Sequence, residues 1–483
     1  PNDARDHYIA IEPGMVEDSV DLMLELEDHL VDQVDLLDDD NSDGDDRKKV
    51  LYKILKETCT LVKPKDLRQA RMKAAKKANS KMPVTKAQYA ALRYWLIRDK
   101  EGLGVLEPLI QDPYLEDISC SGVGNIFLEH KIFQGLTSSI VFRSTEDLDT
   151  FVIQISEKIG KPVTYRNPII DASLPDGSRI NLVFGTDVSR RGSNFTIRKF
   201  AADPLSIIQL VEFGGLTYEM AAYLSLAMLH GMNTFISGET ASGKTTLLNA
   251  ITVFINPNAK IVSIEVTPEL VVPHPNWIRE VTRVAKPGEE GSGIDMFDLL
   301  KAALRQRPNE IIIGEIRGEE GLIAFQAMQT GHSCMATFHA ASVEKLIQRL
   351  TGSPISVPKT YVDNLNVVVI QSAVKLPSGK LGRRAISISE IIGYDSVDGT
   401  FSFAEIFRWD PVHDAFEFVG DMNSYLLEQK IAPKRGIPPH KKREIYSVLR
   451  RRARVLEKLN DSGVTNYHEF YKVIAKAQRD GIF

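Results

Sequence analysis

The segment Gly238-Glu239-Thr240-Ala241-Ser242-Gly243-Lys244-Thr245 constrains this 483-residue chain more than any other. It satisfies Gly-x-x-x-x-Gly-Lys-Ser/Thr at every fixed position. A strand-like run, Thr234 to Ser237, precedes it, and a helix-like run, Thr246 to Phe254, follows. The glycines let the backbone curl until its N–H groups point inward, which is how a loop receives phosphate oxygens. Lys244 supplies a point charge for the β- and γ-phosphates, the Thr245 hydroxyl suits Mg²⁺, and the helix N-terminus at Thr246 adds partial positive charge. ATP with Mg²⁺ is therefore the expected ligand of residues 238–246. A glycine-rich turn that merely contains Lys-Thr would not carry both flanks.

Binding is not hydrolysis, which needs an acid at a neighbouring strand end. Glu310-Ile311-Ile312-Ile313-Gly314-Glu315 reads as a buried strand with a carboxylate just past its C-terminal end, the edge where open α/β sheets bind ligands. Glu315 is expected either to polarise a water for attack on the γ-phosphorus or to hold the Mg²⁺ shell; the plainer alternative is a solvated strand-end Glu. Glu265 ends another candidate strand, Ile261 to Ile264, and Glu269 follows Pro268. His332 and His339 flank the strand-like Ser333 to Phe338. A lone His is usually structural, and this spacing is no zinc pattern, so the residues alone leave both roles open.

The rest of the chain divides by texture. Residues 1–103 read as a helical region: Leu22, Leu26, Leu30, Val34 and Leu37 have helical spacing. An acidic run follows, with six Asp between Asp38 and Asp46, and reads as a solvated linker rather than a calcium loop. The Lys-, Arg- and Ala-rich stretch 66–100 reads as a solvated helical face. Residues 104–200 read as an α+β domain: strands at 125–129, 139–142, 179–183 and 195–198, a helix at 145–159 and a turn at Asp176-Gly177. Residues 201–207, containing Pro204, read as a hinge. From 208 to 483, strands alternate with helices as in a mostly parallel α/β sheet. The net charge of −5 gives no whole-chain case for nucleic acid. Three scattered cysteines exclude a disulfide framework and fit a reducing cytoplasm. No signal pattern or membrane span is evident, so work at a membrane would be by docking. The chain starts at Pro1 rather than Met, which points to a true start upstream.

Four motifs in order resemble the secretion ATPases of type II and type IV pilus systems, over roughly residues 104–483. The phosphate loop is followed by an acidic box (Glu265 to Glu269), a Walker B run (Ile311 to Arg317) and a histidine box (Gly331-His332 through Thr337-Phe338-His339). Leu304-Arg305-Gln306-Arg307-Pro308-Asn309 matches the family's run before Walker B. The resemblance implies an α/β, RecA-like P-loop ATPase domain behind an α+β, PAS-like N-terminal domain that clamps nucleotide. It also implies functional roles for His332 and His339 and a homo-hexamer. Its partners would be a polytopic membrane platform protein and accessory motor proteins, on the cytoplasmic side of the membrane and without nucleic acid. Arginines of the clamping domain, with Arg198 ahead of Arg190 and Arg179, are expected to reach the γ-phosphate. In the acidic box, Val266 stands where the family usually has Asp, leaving Glu265 and Glu269 to carry the role. The zinc-binding tetracysteine insert of many bacterial members is absent, which points to the archaeal branch. Within it, Phe407 to Pro411, Asn423 to Glu428 and Arg451 to Leu456 look like the archaellum motor ATPase, with archaeal pilus and type II-like secretion ATPases as alternatives.

More distant readings are a RecA-like DNA motor and a nucleotide-gated scaffold. The first needs basic, aromatic loops, whereas residues 286–293 are acidic and glycine-rich; the second would bind nucleotide without steady phosphate release. The run Lys434 to Arg454 holds nine Lys or Arg against Glu444. It reads either as a solvated helical face or as a contact for an acidic partner or anionic membrane.

Overall fold

The structure, a computed structural model, describes residues 6–13, 19–31, 44–75, 80–200, 204–283 and 293–483. The chain divides into two compact units, Pro1–Phe200 and Ala201–Phe483. Of the hinge segment, Ala201 to Asp203 lie outside the described residues. Ser206, fully buried, belongs to the second unit: its hydroxyl caps the helix Ile207–Glu212 and lies 2.5 Å from the Thr465 carbonyl.

The first unit is built on a seven-stranded sheet in the order Asp6–Tyr8, Gln134–Phe142, Gly124–His130, Leu115–Cys120, Asn194–Arg198, Arg179–Val183, Ile169–Ser173. Its strands alternate as half-buried strands must. Ile180, Leu182, Phe195 and Ile197 are fully buried, while Arg179, Thr196 and Arg198 face out. The helix Thr145–Lys158, capped by Ser144, lays Leu148, Val152 and Ile155 on the apolar face. Between Ile169–Ser173 and Arg179–Val183 the chain turns at Gly177, whose φ of +88° favours glycine.

Ahead of that sheet the helices Ser19–Val31, Gly44–Thr58, Leu67–Ala74 and Lys86–Lys100 gather a smaller core around Leu26, Leu55, Leu92 and Leu96. Two expectations need correcting here. The first hundred residues are not helical throughout. Cys59–Leu61 pairs in parallel with Met82–Val84, and Asp6–Tyr8 adds an edge to the seven-stranded sheet; three-residue strands are too short to show a period of two. Nor is 66–100 a wholly solvated face. Leu67–Ala74 buries nothing, but Lys86–Lys100 buries Ala91, Leu92 and Leu96. In the acidic run, Asp38 to Asp43 lie outside the described residues, and a helix already begins at Gly44.

The second unit holds a nine-stranded sheet in the order Trp277–Val281, Ile261–Glu265, Glu310–Ile313, Ser333–Phe338, Thr234–Gly238, Val367–Lys375, Leu381–Asp395, Thr400–Asp410, Ala415–Glu417. The first six strands are parallel; the last three are an antiparallel extension. Strands covered on both faces read as unbroken apolar runs, and Ile311, Ile312 and Ile313 are all essentially inaccessible. The sheet splits the interior: Phe235 and Ile311 face one core, Ile236 and Ile312 the other. The C-terminal helices Glu444–Asp461 and Tyr467–Arg479 cover the second core with Leu449, Leu456, Phe470 and Ile474. A buried polar knot ties the segment ahead of them to the sheet. The fully buried Glu390 accepts from Tyr223 (2.7 Å), Ser424 (2.5 Å) and the Leu426 N–H (3.0 Å). Burial pushes its carboxyl up despite those donors. Among the described residues no helix is long and apolar enough to cross a membrane.

Phe235 is fully buried and meets Phe325 edge-on at 5.8 Å between centroids. Phe235→Ala is expected to destabilise the second unit by about 3–5 kcal/mol. Urea unfolding followed by fluorescence checks this; a loss under about 1 kcal/mol would mean that the core collapses around the gap.

Candidate active site

Parallel register brings distant segments to one edge of the sheet. Thr234–Gly238 pairs with Ser333–Phe338 on one side and Val367–Lys375 on the other, with Ser237 beside Phe338 and Gly238 beside Gln371. A Cβ on Gly238 would sit 1.9 Å from the Gln371 carbonyl oxygen, so only glycine fits at the loop's first position. Ala241 (φ +60°) and Gly243 (φ +91°) complete the curl that leads into the helix Lys244–Thr252. Glu239, Thr240 and Ala241 are exposed at the mouth, Ser242 is buried, and Thr245 and Thr246 are half-buried on the first helical turn. Lys244 is 8% exposed and its Nζ donates to the Glu239 carbonyl at 2.7 Å. Burial lowers its pKa, and Glu315 opposes that. An ammonium folded onto its own loop has a neutral carbonyl as partner, which phosphate oxygens outbid.

Glu315 follows the strand Glu310–Ile313, two strands from the loop strand, with Ser333–Phe338 between them. One carboxylate oxygen meets Arg317 Nη2 at 2.5 Å. The other lies 2.6 Å from His339 Nε2, a close contact without the alignment of a hydrogen bond. His339 is set by Ser237, whose hydroxyl donates to the Ala340 carbonyl (2.7 Å) and accepts from the Ala340 N–H (3.0 Å). Its pKa is lowered, by burial first, with Lys244, Arg317 and Arg349 adding to the effect and Glu315 opposing it. The imidazole is therefore neutral at neutral pH. Thr337 holds the turn before Glu315 through the Gly314 carbonyl at 2.5 Å.

Glu265 is 2% exposed, and its Oε1 accepts from the backbone N–H groups of Glu269 (2.7 Å) and Leu270 (2.8 Å). Arg279 stands 3.4 Å from its other oxygen. Burial raises its pKa, and those donors and Arg279 hold it down. This geometry makes Glu265 a clamp on the segment 266–270, with Val266 exposed and Glu269 half-buried. The loop helix shares the clamp: Asn249 donates to the Glu269 carbonyl (3.3 Å) and accepts from the Val271 N–H (3.0 Å).

Not every expected residue converges. His332 precedes the strand whose far end leads to His339, so at about 3.3 Å per residue the two lie roughly 20 Å apart, on opposite edges of the sheet. Thr330 is its partner, at 3.1 Å. Arg179 and Arg198 are register neighbours on the exposed face of the first unit's sheet, beside Asp117, and Arg190 is exposed in a loop. Sequence reasoning missed two residues. Gln371, 7% exposed, lies under the loop with its Oε1 unpartnered, and Arg383 donates from Nε to the Ala241 carbonyl at 3.1 Å. Neither has a local signal, because strand pairing brings them in from more than a hundred residues away.

A glycine-built phosphate loop on a parallel strand, with a carboxylate at the same edge two strands over, defines a nucleoside triphosphatase of the α/β class. The family described as Type II/IV secretion system protein matches residues 99–383; the chain belongs to that family and is an ATPase. It is 50% identical over 398 residues to the uncharacterized protein MJ0900 of Methanocaldococcus jannaschii, covering 82% of this chain and 71% of that one. It is 29% identical over 223 residues to the type IV secretion system protein VirB11 of Bartonella quintana, covering 39% and 62%. Among solved structures, the pilus retraction motor PilT with bound ADP is similar at 18% identity and a TM-score of 0.43, covering 59% of this chain and 80% of that one.

Arg383→Ala is expected to raise the KM for ATP about tenfold with kcat within about twofold, and Arg383→Lys to recover part of it. Equal loss in both parameters would place Arg383 in the chemical step instead. The neighbouring Arg384 grips Asp414 through two 2.8 Å contacts and holds its carboxyl down at about 2. A depressed acid stabilises the fold above its unfolded pKa of about 3.9 and loses that as pH falls toward 2. Asp414→Asn should flatten the stability profile between those values, measured by urea midpoints; an unchanged slope would show that the pair contributes nothing.

Proposed function

We propose that this ATPase powers an archaeal type IV pilus-like filament, the archaellum in the first instance, by assembling or rotating it. The single observation that carries the reading is the convergence of Lys244, Glu315 and His339 at the phosphate-loop edge. The archaellum assignment rests on the C-terminal runs at 407–411, 423–428 and 451–456, together with an archaeal relative that aligns over most of the chain. An archaeal pilus or a type II-like secretion system is the alternative. Deleting the gene and scoring archaella, pili and secreted proteins separately distinguishes them, and intact archaella would exclude the first.

In this reading Lys244 and the loop N–H groups hold the β- and γ-phosphates, and Glu315 orients and deprotonates the attacking water. The Thr245 hydroxyl and the Glu315 carboxylate, directly or through water, are suited by donor type to Mg²⁺, which neutralises phosphate charge when bound. His339, neutral and against Glu315, positions that carboxylate. Glu265 and Glu269 hold the neighbouring segment rather than react. Arg198, with Arg190 and Arg179 behind it, is the proposed source of the cation that meets the γ-phosphate. The assembly is a homo-hexamer of chains with a PAS-like first domain and a RecA-like second. It lies at the cytoplasmic face of the membrane, against a polytopic platform protein and accessory motor proteins.

Lys244→Ala should abolish tight ATP binding. Glu315→Gln should bind ATP yet hydrolyse it about a hundredfold or more slowly, since an amide cannot take the proton. Parental turnover in the Gln variant would remove Glu315 from the chemistry. Full turnover in Arg198→Ala, Arg190→Ala and Arg179→Ala alike would remove the arginine assignment.

A further inference from the structure

The segment Glu269 to Val271 belongs to no helix or strand, yet side chains hold its backbone at almost every polar group. Glu265 accepts from the N–H groups of Glu269 and Leu270. Asn249 donates to the Glu269 carbonyl and accepts from the Val271 N–H. The Val271 carbonyl accepts from the Tyr467 hydroxyl at 2.8 Å. Irregular backbone packed into an interior needs such partners. Here three elements supply them: the strand Ile261–Glu265, the loop helix Lys244–Thr252 and the C-terminal helix Tyr467–Arg479.

Tyr467 is 1% exposed, and its hydroxyl stands at a junction. Besides Val271 it meets Thr252 Oγ1 at 2.8 Å and lies 3.3 Å from the Asn249 carbonyl, both on the loop helix. Burial raises its pKa, so it remains a neutral O–H donor. The helix that carries it is fixed independently. Asn466 caps its start, Phe470 meets Phe254 edge-on at 6.1 Å between centroids, and Gln478 donates to the Phe254 carbonyl at 3.1 Å.

The segment also carries charge toward the site. Arg317, which occupies one oxygen of Glu315, feels Glu315 most strongly and then Glu320 and Glu269; these acids hold its pKa above the ordinary value against burial. Glu269 therefore competes with Glu315 for one guanidinium, and its placement sets how firmly Arg317 grips the Glu315 carboxylate. Without the Tyr467 donor the Val271 carbonyl is left unpaired, and the segment gains by relaxing toward solvent.

We propose that Tyr467 is a positioning residue for ATP hydrolysis: its hydroxyl fixes the segment 269–271 against the loop helix and so places Glu269 beside Arg317 and, through it, Glu315. The inference rests on Glu315 as the acid of the chemical step. The role falls to a residue beyond 99–383, the span that the family matches.

Tyr467→Phe removes only the hydroxyl. In the full chain it is expected to lower kcat about tenfold with the KM for ATP within about twofold, and to speed amide exchange at Glu269, Leu270 and Val271 without nucleotide. Tyr446→Phe is the control. That buried hydroxyl accepts from the Ser424 N–H (2.7 Å) and donates to Glu428 (3.0 Å), and its loss should leave both readouts unchanged. Combined with Glu269→Gln, Tyr467→Phe should be no slower than the slower single variant, because both act through one carboxylate. Three results would overturn the inference while Glu315→Gln stays slow: parental kcat in Tyr467→Phe, an equal loss in Tyr446→Phe, or losses that multiply in the Glu269→Gln pair. Parental turnover in Glu315→Gln would instead remove the reading beneath it, and the route through Arg317 with it.

Discussion

Everything at the candidate site depends on the strand Thr234–Gly238 being hydrogen-bonded on both sides. Its five residues are buried, and register with Ser333–Phe338 and Val367–Lys375 leaves no freedom to slide. A slip of one residue would turn Phe235 and Ile236 to the wrong cores and place a side chain against the Gln371 carbonyl where only Gly238 fits. Because the strands around it are parallel, their C-terminal ends share one edge. Gly238, Glu265, Glu315 and His339 are neighbours for that reason, although the chain separates the first and last by about a hundred residues.

The same edge is tuned electrostatically before any substrate arrives. Lys244, Arg317 and Arg349 all act on His339, and Glu315 is the acid set against them. With His339 neutral, Lys244 is the loop's own cation, and it suits a triphosphate. Lys244 rests on the Glu239 carbonyl, so the buried amine keeps a partner while the loop waits. Glu265 shows the opposite use of a buried acid. Two backbone N–H groups and Arg279 occupy its oxygens, leaving little capacity for chemistry and fixing the segment that touches the loop helix through Asn249.

What was legible in the sequence was what is local. The phosphate loop is a contiguous run whose flanks declare strand and helix, and Glu315 follows four apolar positions that can only be a buried strand or its helical equivalent. Gln371 and Arg383 were illegible because their partners are chosen by strand pairing, which no spacing records. His332 and His339 are a different case. The strand between them was readable, and a strand sends residues at its two ends to opposite edges, so only His339 reaches the phosphate-loop edge. At the other end of the chain, Asp6–Tyr8 and Cys59–Leu61 are held by tertiary pairing, since three residues carry no period of their own.

The antiparallel extension of the sheet has a role that its distance from the loop conceals. Arg384 is nearly buried and faces away from the loop, with Asp414 on two nitrogens and the carbonyls of Phe213 and Arg383 on the third. Asp414 in turn accepts from the Trp409 indole at 2.8 Å. Alternation along a strand then puts Arg383 on the opposite face, where its guanidinium meets Ala241 and packs beside Gly243. A hairpin more than 140 residues downstream thus sets one wall of the nucleotide loop through an ion pair between a buried arginine and a half-buried aspartate. Such a pair fixes geometry: both Asp414 oxygens hold Arg384, which sets the strand position of Arg383. Here the specificity is the placement of one arginine against one carbonyl, and it explains why a nine-stranded sheet serves a site that needs only its central five strands.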